Sequence, residues 1–386
     1  MEKEITSVSL NEKAWRRLKR NRSAMFGLGI IVLAVILAVF AYVVSPDNSP
    51  SANEQILPLE THEPGFRIHI LKKYRRHSPG SSLVEGLWGG FIKNYDPVPV
   101  TQYRFTSDTL LYTEYRGKNF PPVERSAAYN DILGGGYDTF TPLQRKVLVE
   151  ECCLREQTYL LGTDKFGRDI LSRLIIGVRV SLSVGLISVG ISLLIGVLLG
   201  ALAGYFRGWI DQCIMWIINV FWSIPTLLLA MGLYISAGSW IENKLVLIFI
   251  AVGLTMWVDT ARIVRGQFMA VRELEFVTAA RGLAYGDLRI IFRHILPNIT
   301  GPIIVVACSN FAGAILIESG LSYIGLGIQP PAPSWGTMLN EYKDFINTDR
   351  AYLALFPSAA IMLLVLAFNL LGNGLRDALD VKGRTE

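Results

Sequence analysis

Six apolar, almost uncharged runs of membrane-spanning length recur along the 386 residues, and a chain built this way has few folds open to it. They cover about 23–44, 180–206, 213–237, 245–260, a stretch from Pro297 to about 320, and 352–375. In hydrocarbon every backbone N–H and C=O must be satisfied within the segment, so each run reads as an α-helix. With 51% hydrophobic residues and a mean hydropathy of +0.37, the chain is too apolar for an ordinary soluble protein. The expected fold class is an all-α polytopic membrane protein with six transmembrane helices. It divides into a basic tail (1–22), span 1 (23–45), an insertion between spans 1 and 2 (46–160), a core with spans 2–6 (161–375) and a second tail (376–386).

The net charge of +5 invites a nucleic-acid reading, but the distribution of charge argues against it. Lys and Arg gather in the N-terminal tail (Lys13, Arg16, Arg17, Lys19, Arg20, Arg22), from Arg262 to Arg293, and in the C-terminal tail (Arg376, Lys382, Arg384). Short loops of the opposite parity hold only Lys244, Lys343 and Arg350. This is the positive-inside pattern, which places both termini and the segment 272–297 in the cytoplasm, with no nucleic-acid partner. A cleaved signal peptide is the alternative for the first run, yet its apolar core exceeds the ~7–15 residues of such signals and lacks a small-x-small site. The cysteines carry no framework: Cys213 and Cys308 lie in apolar runs, and Cys152 and Cys153 are adjacent in an expected helix.

Residues 46–160 follow a span that ends outside, so they form an extracytoplasmic insertion, and loops beyond ~60 residues escape the charge rule. Aromatic side chains throughout, among them Phe66, Tyr74, Trp88, Phe91, Tyr103 and Tyr129, argue for a folded unit of mixed α/β character. Residues 66–74 alternate as a strand, 103–115 read as strand or hairpin, and Thr141-Pro142 opens a helix to about 157. A cap that touches a binding protein and an insertion that merely packs on the membrane face are equally open. His62, His69 and His77 lack metal-ligand spacing.

Within the core, span 2 offers Gly185, Gly190, Gly196, Gly200 and Gly204 for close helix approach. Pro225 should kink span 3, and Asp259 at the inner end of span 4, beside Arg262 and Arg265, reads as an interfacial anchor. Asn310 and Glu318 are the pathway candidates of span 5, although for Glu318 capping a helix beside the Gly325 and Gly327 turn is the favoured role. Trp335 suits the membrane interface.

Phe276 to Asn298, FVTAARGLAYGDLRIIFRHILPN, is the charged exception between two spans. Phe276, Ala280 and Leu283 make one apolar stripe; Leu288, Ile291, Phe292 and Ile295 make a second after Gly286, with Arg289 and Arg293 turned away. Two short helices around a turn follow, with Asp287 as N-cap of the second and Pro297 starting the next element. Such a segment suits either the lipid headgroups or a groove on a partner protein.

Thr278-Ala279-Ala280 with His294-Ile295-Leu296-Pro297 resembles the EAA loop of ABC-importer permeases, the segment that docks on the ATPase. The phrase AAR–IIFRHILPN is similar to the peptide and nickel branch, in particular its second permease subunit. Here Thr278 stands in place of the acidic residue that names the loop, and Ala284 in place of the turn glycine, with Gly282 and Gly286 two places to either side, which leaves room for a shifted turn. An independent match precedes span 2: Gly162, Thr163, Asp164, Gly167, Arg168 and Asp169, in LGTDKFGRDILSR, a Gly-punctuated turn before a short amphipathic helix. Asp164, Arg168 and Asp169 could be a catalytic cluster, but the resemblance, to a family with no covalent chemistry there, implies an ion-paired corner. ESGLSYIGLG at span 5 and the Arg376-Asp377 phrase, with Val381 where proline is common, extend the resemblance.

The resemblance implies a permease subunit of the bacterial cytoplasmic (inner) membrane with a second homologous permease, one or two P-loop ATPase subunits and an extracytoplasmic solute-binding protein as partners. The expected ATPase-coupling residues are Phe276, Val277, Thr278, Ala279, Ala280, Arg281, Ala284, Arg293, His294 and Pro297. The chain has no GxxxxGK[ST] loop, so no cofactor is expected on it, ATP and Mg belonging to the partner subunits, and it is not expected to be an enzyme. Di- or oligopeptides are the implied cargo, although nickel members share these phrases. A secondary transporter would need intramembrane charge networks beyond Asp259 and Glu318, and a membrane-anchored enzyme would need a constellation that residues 46–160 lack.

Overall fold

A computed structural model describes residues 10–76 and 82–379; residues 1–9 of the basic tail, His77, and residues 380–386 with Val381, Lys382 and Arg384 lie outside the described residues. Helix α1 (Leu10–Arg20) meets α2 (Arg22–Val39) at Asn21, whose side chain accepts from the Ala24 amide at 3.1 Å and caps the apolar helix. A further turn, Ala41–Val44, brings the chain out of the bundle.

Beyond it lies an antiparallel five-stranded sheet. Its elements are β1 (Phe66–Tyr74), α3 (Leu83–Gly89), β2 (Tyr95–Phe105), β3 (Thr109–Glu114), β4 (Val123–Ala128), α4 (Pro142–Leu148) and β5 (Leu154–Tyr159), in the order β4-β3-β2-β1-β5. The stretch 103–115 resolves as a hairpin, with Tyr103 opposite Tyr112. Thr141 caps α4 as expected, its hydroxyl accepting from the Gln144 amide. The helical stretch stops at Cys153, four residues short of the expected 157, because residues 154–159 are taken by β5 pairing with β1. Leu71, Val100, Leu110, Tyr129, Ile132 and Val149 close the core of this unit with no exposure.

The bundle is built from α5 (Ile170–Phe206), α6 (Gly208–Trp222), α7 (Thr226–Ala237), α8 (Lys244–Val271), α9 (Glu275–Gly282), α10 (Thr300–Tyr323), α11 (Trp335–Tyr342) and α12 (Tyr352–Leu379). Among the described residues, five helices are long and apolar enough to cross a membrane, and α6 with α7 makes a sixth if that pair is one span. The pair bends by 93°, far more than the kink expected from Pro225. Proline lacks an amide hydrogen, and Ser223 Oγ donates to the Val220 carbonyl at 2.7 Å, so the first helix ends and a second starts.

Two helices are longer than expected. α5 begins at Ile170 rather than 180, so the separate amphipathic helix expected there is its first turns. At 37 residues and ~1.5 Å rise, α5 exceeds a ~30 Å hydrocarbon layer, and its charged start stands outside it. α8 continues to Val271, so Asp259 lies within the helix, exposed, and not at its end. Arg265 pairs instead with Asp211 of α6 at 2.5 Å, and Arg262 stacks on Trp222 at 4.0 Å.

Helices α5 and α8 pack backbone against backbone. A Cβ on Gly200 would stand 2.5 Å from the Ala261 carbonyl oxygen, and one on Gly204 2.6 Å from that of Arg265, so only glycine allows the crossing. Gly190 has open space beside it and plays no such part. At one end of the bundle Leu18 and Ala378 share a small core, and Leu379 closes on Gly301, which gathers α1 and the end of α12 beside the start of α10.

Candidate coupling segment and membrane core

Helix α9 leaves α8 after a short turn, and a second helical stretch runs without interruption from Asp287 to Tyr323. Pro297 therefore does not begin a new element: it sits within a 3-10 turn, Leu296–Ile299, where a missing amide hydrogen is tolerated. Asp287 is not the N-cap either; Gly286 occupies that position, and Asp287 is the first helical residue. Its carboxylate accepts from the Tyr205 hydroxyl at 2.6 Å, which ties the segment to the end of α5. Ala284 has φ +56°, the left-handed conformation that glycine favours, so the turn stays at the position of the replaced glycine and is not shifted to Gly282 or Gly286.

The two apolar stripes divide between opposite faces. Val277, Ala280, Ile290, Ile291 and Ile295 are buried with Ala201, Tyr205, Val264 and Phe268 of α5 and α8. Phe276, Leu283, Leu288 and Phe292 remain exposed, at 40%, 67%, 68% and 52%. Thr278, Ala279, Arg281, Arg293 and Pro297 are exposed, while His294 is half-buried and stacks on Tyr285. Arg281 lies 5.4 Å from the Tyr205 ring and Arg289 4.1 Å from that of Tyr285, and Arg272 donates to the Tyr205 carbonyl at 2.5 Å. Tyr205 is thus the hub of the segment. Sequence reasoning missed it, because its partner Asp287 lies 82 residues away with no local pattern joining them.

The corner from Gly162 to Asp169 is buried and ion-paired. Gly162 and Gly167 take φ of +82° and +72°. Asp164 accepts from the amides of Phe166 and Arg168 and from Arg168 Nε at 2.6 Å, and the Tyr342 hydroxyl reaches it at 3.1 Å. Arg168 also meets Glu341 at 2.7 Å and Asn53 at 3.3 Å, and Arg173 meets Glu341 at 3.2 Å. Thr163 Oγ1 donates to the Leu59 carbonyl and accepts from the His62 amide. Asp169 caps α5 by accepting from the Ser172 amide at 2.9 Å; burial pushes its carboxyl above the usual range despite those donors. Glu341 and Tyr342 in α11 were not legible as partners, since nothing in the sequence sets that loop against a turn some 170 residues earlier.

Asn310 and Glu318 are both internal. Asn310, 6% exposed, donates to Thr260 Oγ1 at 2.9 Å and Ser192 Oγ at 3.1 Å, joining α10 to α8 and α5. Glu318 is fully buried; Oε1 accepts from Ser322 at 2.8 Å, and Oε2 has no hydrogen-bond partner among the described residues.

Comparison with known proteins matches this layout on both sides of the insertion. Residues 196–384 fit the family described as binding-protein-dependent transport system inner membrane component, and residues 9–61 the N-terminal TM domain of oligopeptide transport permease C. The glutathione transport system permease protein GsiD of Pectobacterium atrosepticum is 44% identical over 222 residues, 58% of this chain and 72% of that one. The dipeptide transport system permease protein DppC of Alkalihalophilus pseudofirmus is 44% identical over 221 residues, 57% of this chain and 71% of that one. A solved inward-facing MetNI methionine ABC transporter aligns over 53% of this chain and 95% of that chain, at 18% identity and a TM-score of 0.45. With both family models matched and relatives 44% identical over 72% and 71% of their own length, the chain belongs to the binding-protein-dependent inner-membrane permeases of ABC importers, on their peptide-permease branch.

Proposed function

We propose that this permease carries di- or oligopeptides inward as one half of a pathway enclosed with a second homologous permease, and that residues 272–297 dock on a P-loop ATPase. Six spans, with the bent α6–α7 pair counted as one, would leave both termini and the coupling segment on one side, and the Lys and Arg gathered there favour the cytoplasmic side for them and the outer side for the sheet. The observation that carries the docking role is the divided surface of that segment: one apolar face is locked into α5 and α8 while Phe276, Leu283, Leu288 and Phe292 stay exposed, rimmed by arginines. A monomer gains nothing from holding four large apolar side chains in water, so that face fits a partner's groove. Exposed Arg281 and Arg293 supply charge for its rim.

Mechanism follows from rigidity. ATPase closure would displace the segment as a body, because Tyr205–Asp287 and the buried isoleucines transmit its motion to α5, α8 and α10. The buried Asn310–Ser192–Thr260 contact joins the same three helices, so they would rock together between inward- and outward-open states. ATP and Mg would bind the partner subunits, and a solute-binding protein would deliver cargo to the outer face. Peptide is the favoured cargo because the named functions of the two relatives at 44% identity concern a dipeptide and glutathione, itself a short peptide.

The test is affinity purification of the tagged chain from native membranes with Leu288→Glu and Phe276→Ser alongside. Wild type is expected to bring down a second permease and an ATPase whose activity peptide-loaded binding protein stimulates. The variants, altered only at exposed positions, are expected to lose the ATPase or its stimulation at unchanged thermal stability. Full stimulation in both variants would sink the docking role, and stimulation by nickel but not by peptide would overturn the cargo.

A further inference from the structure

Helix α3 lies beside the turn Ala41–Val44, where the first span leaves the bundle, and it is firmly held. The Phe91 ring folds back under Gly86 so closely that a Cβ there would stand 2.2 Å from it. The Phe91 amide donates to the Asn48 carbonyl at 2.8 Å, and a capping box of Ser82 and Glu85 closes the first turn. A little further on, Lys93 sits 2.8 Å from Asp47 and 2.6 Å from Glu54, a mostly buried ion network that clamps this stretch to the strap leaving the first span.

The opposite face is apolar and exposed. Val84 is 69% exposed, Leu87 42%, Trp88 73%, and Ile92 just beyond the helix 52%. Arg179 of α5 marks the level at which that face lies: it donates to the Trp88 carbonyl at 3.0 Å, and its guanidinium is 5.4 Å from the Trp88 ring and 5.2 Å from that of Tyr42. Tyr42 belongs to the last turn of the first span, whose neighbours Phe40, Val43 and Val44 point outward at 51%, 60% and 52% exposure. The α3 face is therefore continuous with the surface that the first span presents to lipid. Tyrosine, tryptophan and arginine at one level are the side chains of a membrane–water boundary.

We propose that α3 is an interfacial foot of the sheet domain, resting on the outer leaflet with Val84, Leu87, Trp88 and Ile92 at the headgroup–acyl boundary and Arg179 facing lipid phosphates. Its occupant is phospholipid, and the inference adds to the transport reading a seat that fixes the height of residues 46–160 above the membrane.

The experiment uses the purified transporter complex in phosphatidylcholine–phosphatidylglycerol nanodiscs. Nitroxide labels on Val84→Cys and Leu87→Cys are compared with one on Glu124→Cys, an exposed position of β4, for collision with oxygen and with a water-soluble nickel chelate. Labels at 84 and 87 are expected to favour oxygen several-fold over the chelate relative to 124. Equal access of the chelate to all three, or exclusion of both reagents from 84 and 87 by the second permease or the added binding protein, overturns the proposal. A second readout avoids labelling: lipid brominated near the headgroup is expected to quench wild-type tryptophan fluorescence more than that of Trp88→Phe, and identical quenching would likewise overturn it.

Discussion

Arg168 joins three separate parts of the chain, which makes its removal the sharpest test of how the outer end of the bundle is held. The side chain is 2% exposed and bonds Asp164 of its own turn, Glu341 of α11 and Asn53 of the strap after the first span. Breaking a buried pair by deleting one partner costs roughly 3–5 kcal/mol, because the remaining charge is stranded. Asp164 keeps two amides and the Tyr342 hydroxyl, and Glu341, 14% exposed at its side chain, keeps Arg173, so the lower end, about 3 kcal/mol, applies to Arg168→Met. With an unfolding entropy of about 2.1 cal/mol/K per residue over the 386 residues, the midpoint should fall by roughly 4 °C. Intrinsic fluorescence in detergent reads this out, with the scan rate held constant because membrane-protein unfolding is commonly irreversible. Combining Arg168→Met with Asp164→Asn should recover part of the loss, since the stranded charge goes while an oxygen remains for the two amides, and Glu341 stays in place because the buried Arg173 is paired with it. A fall below ~2 °C for the single variant, or no recovery in the double one, would refute the argument that the corner is held by charge pairing.

Gly200→Val places a Cβ 2.5 Å from the Ala261 carbonyl and should prevent a stable bundle from accumulating, measured by size exclusion after detergent extraction, whereas Gly190→Ala, with nothing within 4 Å, should behave as wild type. Ala284→Gly relieves a left-handed backbone at φ +56° and should raise the unfolding midpoint by the equivalent of about 1 kcal/mol with coupling retained; a lower midpoint would mean the turn is not strained. His62, stacked on Phe66 at 3.8 Å, has its pKa brought down to about 4 by burial and by the charges of Lys118 and Arg350. Because the folded value lies below the unfolded one near 6.5, its contribution is fully present above pH 6.5 and is lost as pH falls towards 4. Thermal midpoints taken across that window should decline in wild type and flatten in His62→Asn.

Much of this was legible in the sequence where a local rule governs. The apolar runs gave membrane helices, Thr141-Pro142 gave a cap, and residues 66–74 gave a strand, since each depends on neighbours a few residues apart. Helix ends were misjudged where charge entered. α5 carries Arg173 and Arg179 in helical turns outside the hydrocarbon, and α8 runs past Asp259 and Arg262, so hydropathy marks the lipid boundary and not the helix boundary. Pro297 misled for a related reason: a residue without an amide hydrogen ends a helix only when no tighter turn can carry the chain across it. Partners across the fold, such as Arg168 with Glu341 or Tyr205 with Asp287, obey no spacing rule at all.

The same division explains what the replacements in the coupling segment can and cannot change. Thr278 is exposed, so a carboxylate at this position would act outward, on whatever docks there. Ala284 keeps the left-handed turn without glycine, at a conformational cost, and the turn survives because both flanking helices are fixed independently: α9 by Val277 and Ala280, the next stretch by Asp287 on Tyr205 and by Ile290 and Ile291. Strain at one residue is tolerated when its surroundings overdetermine it. If the segment docks on an ATPase as proposed, one seated this firmly would transmit displacement instead of absorbing it, and with threonine at 278 the exposed quartet of Phe276, Leu283, Leu288 and Phe292 would be the main surface through which force enters.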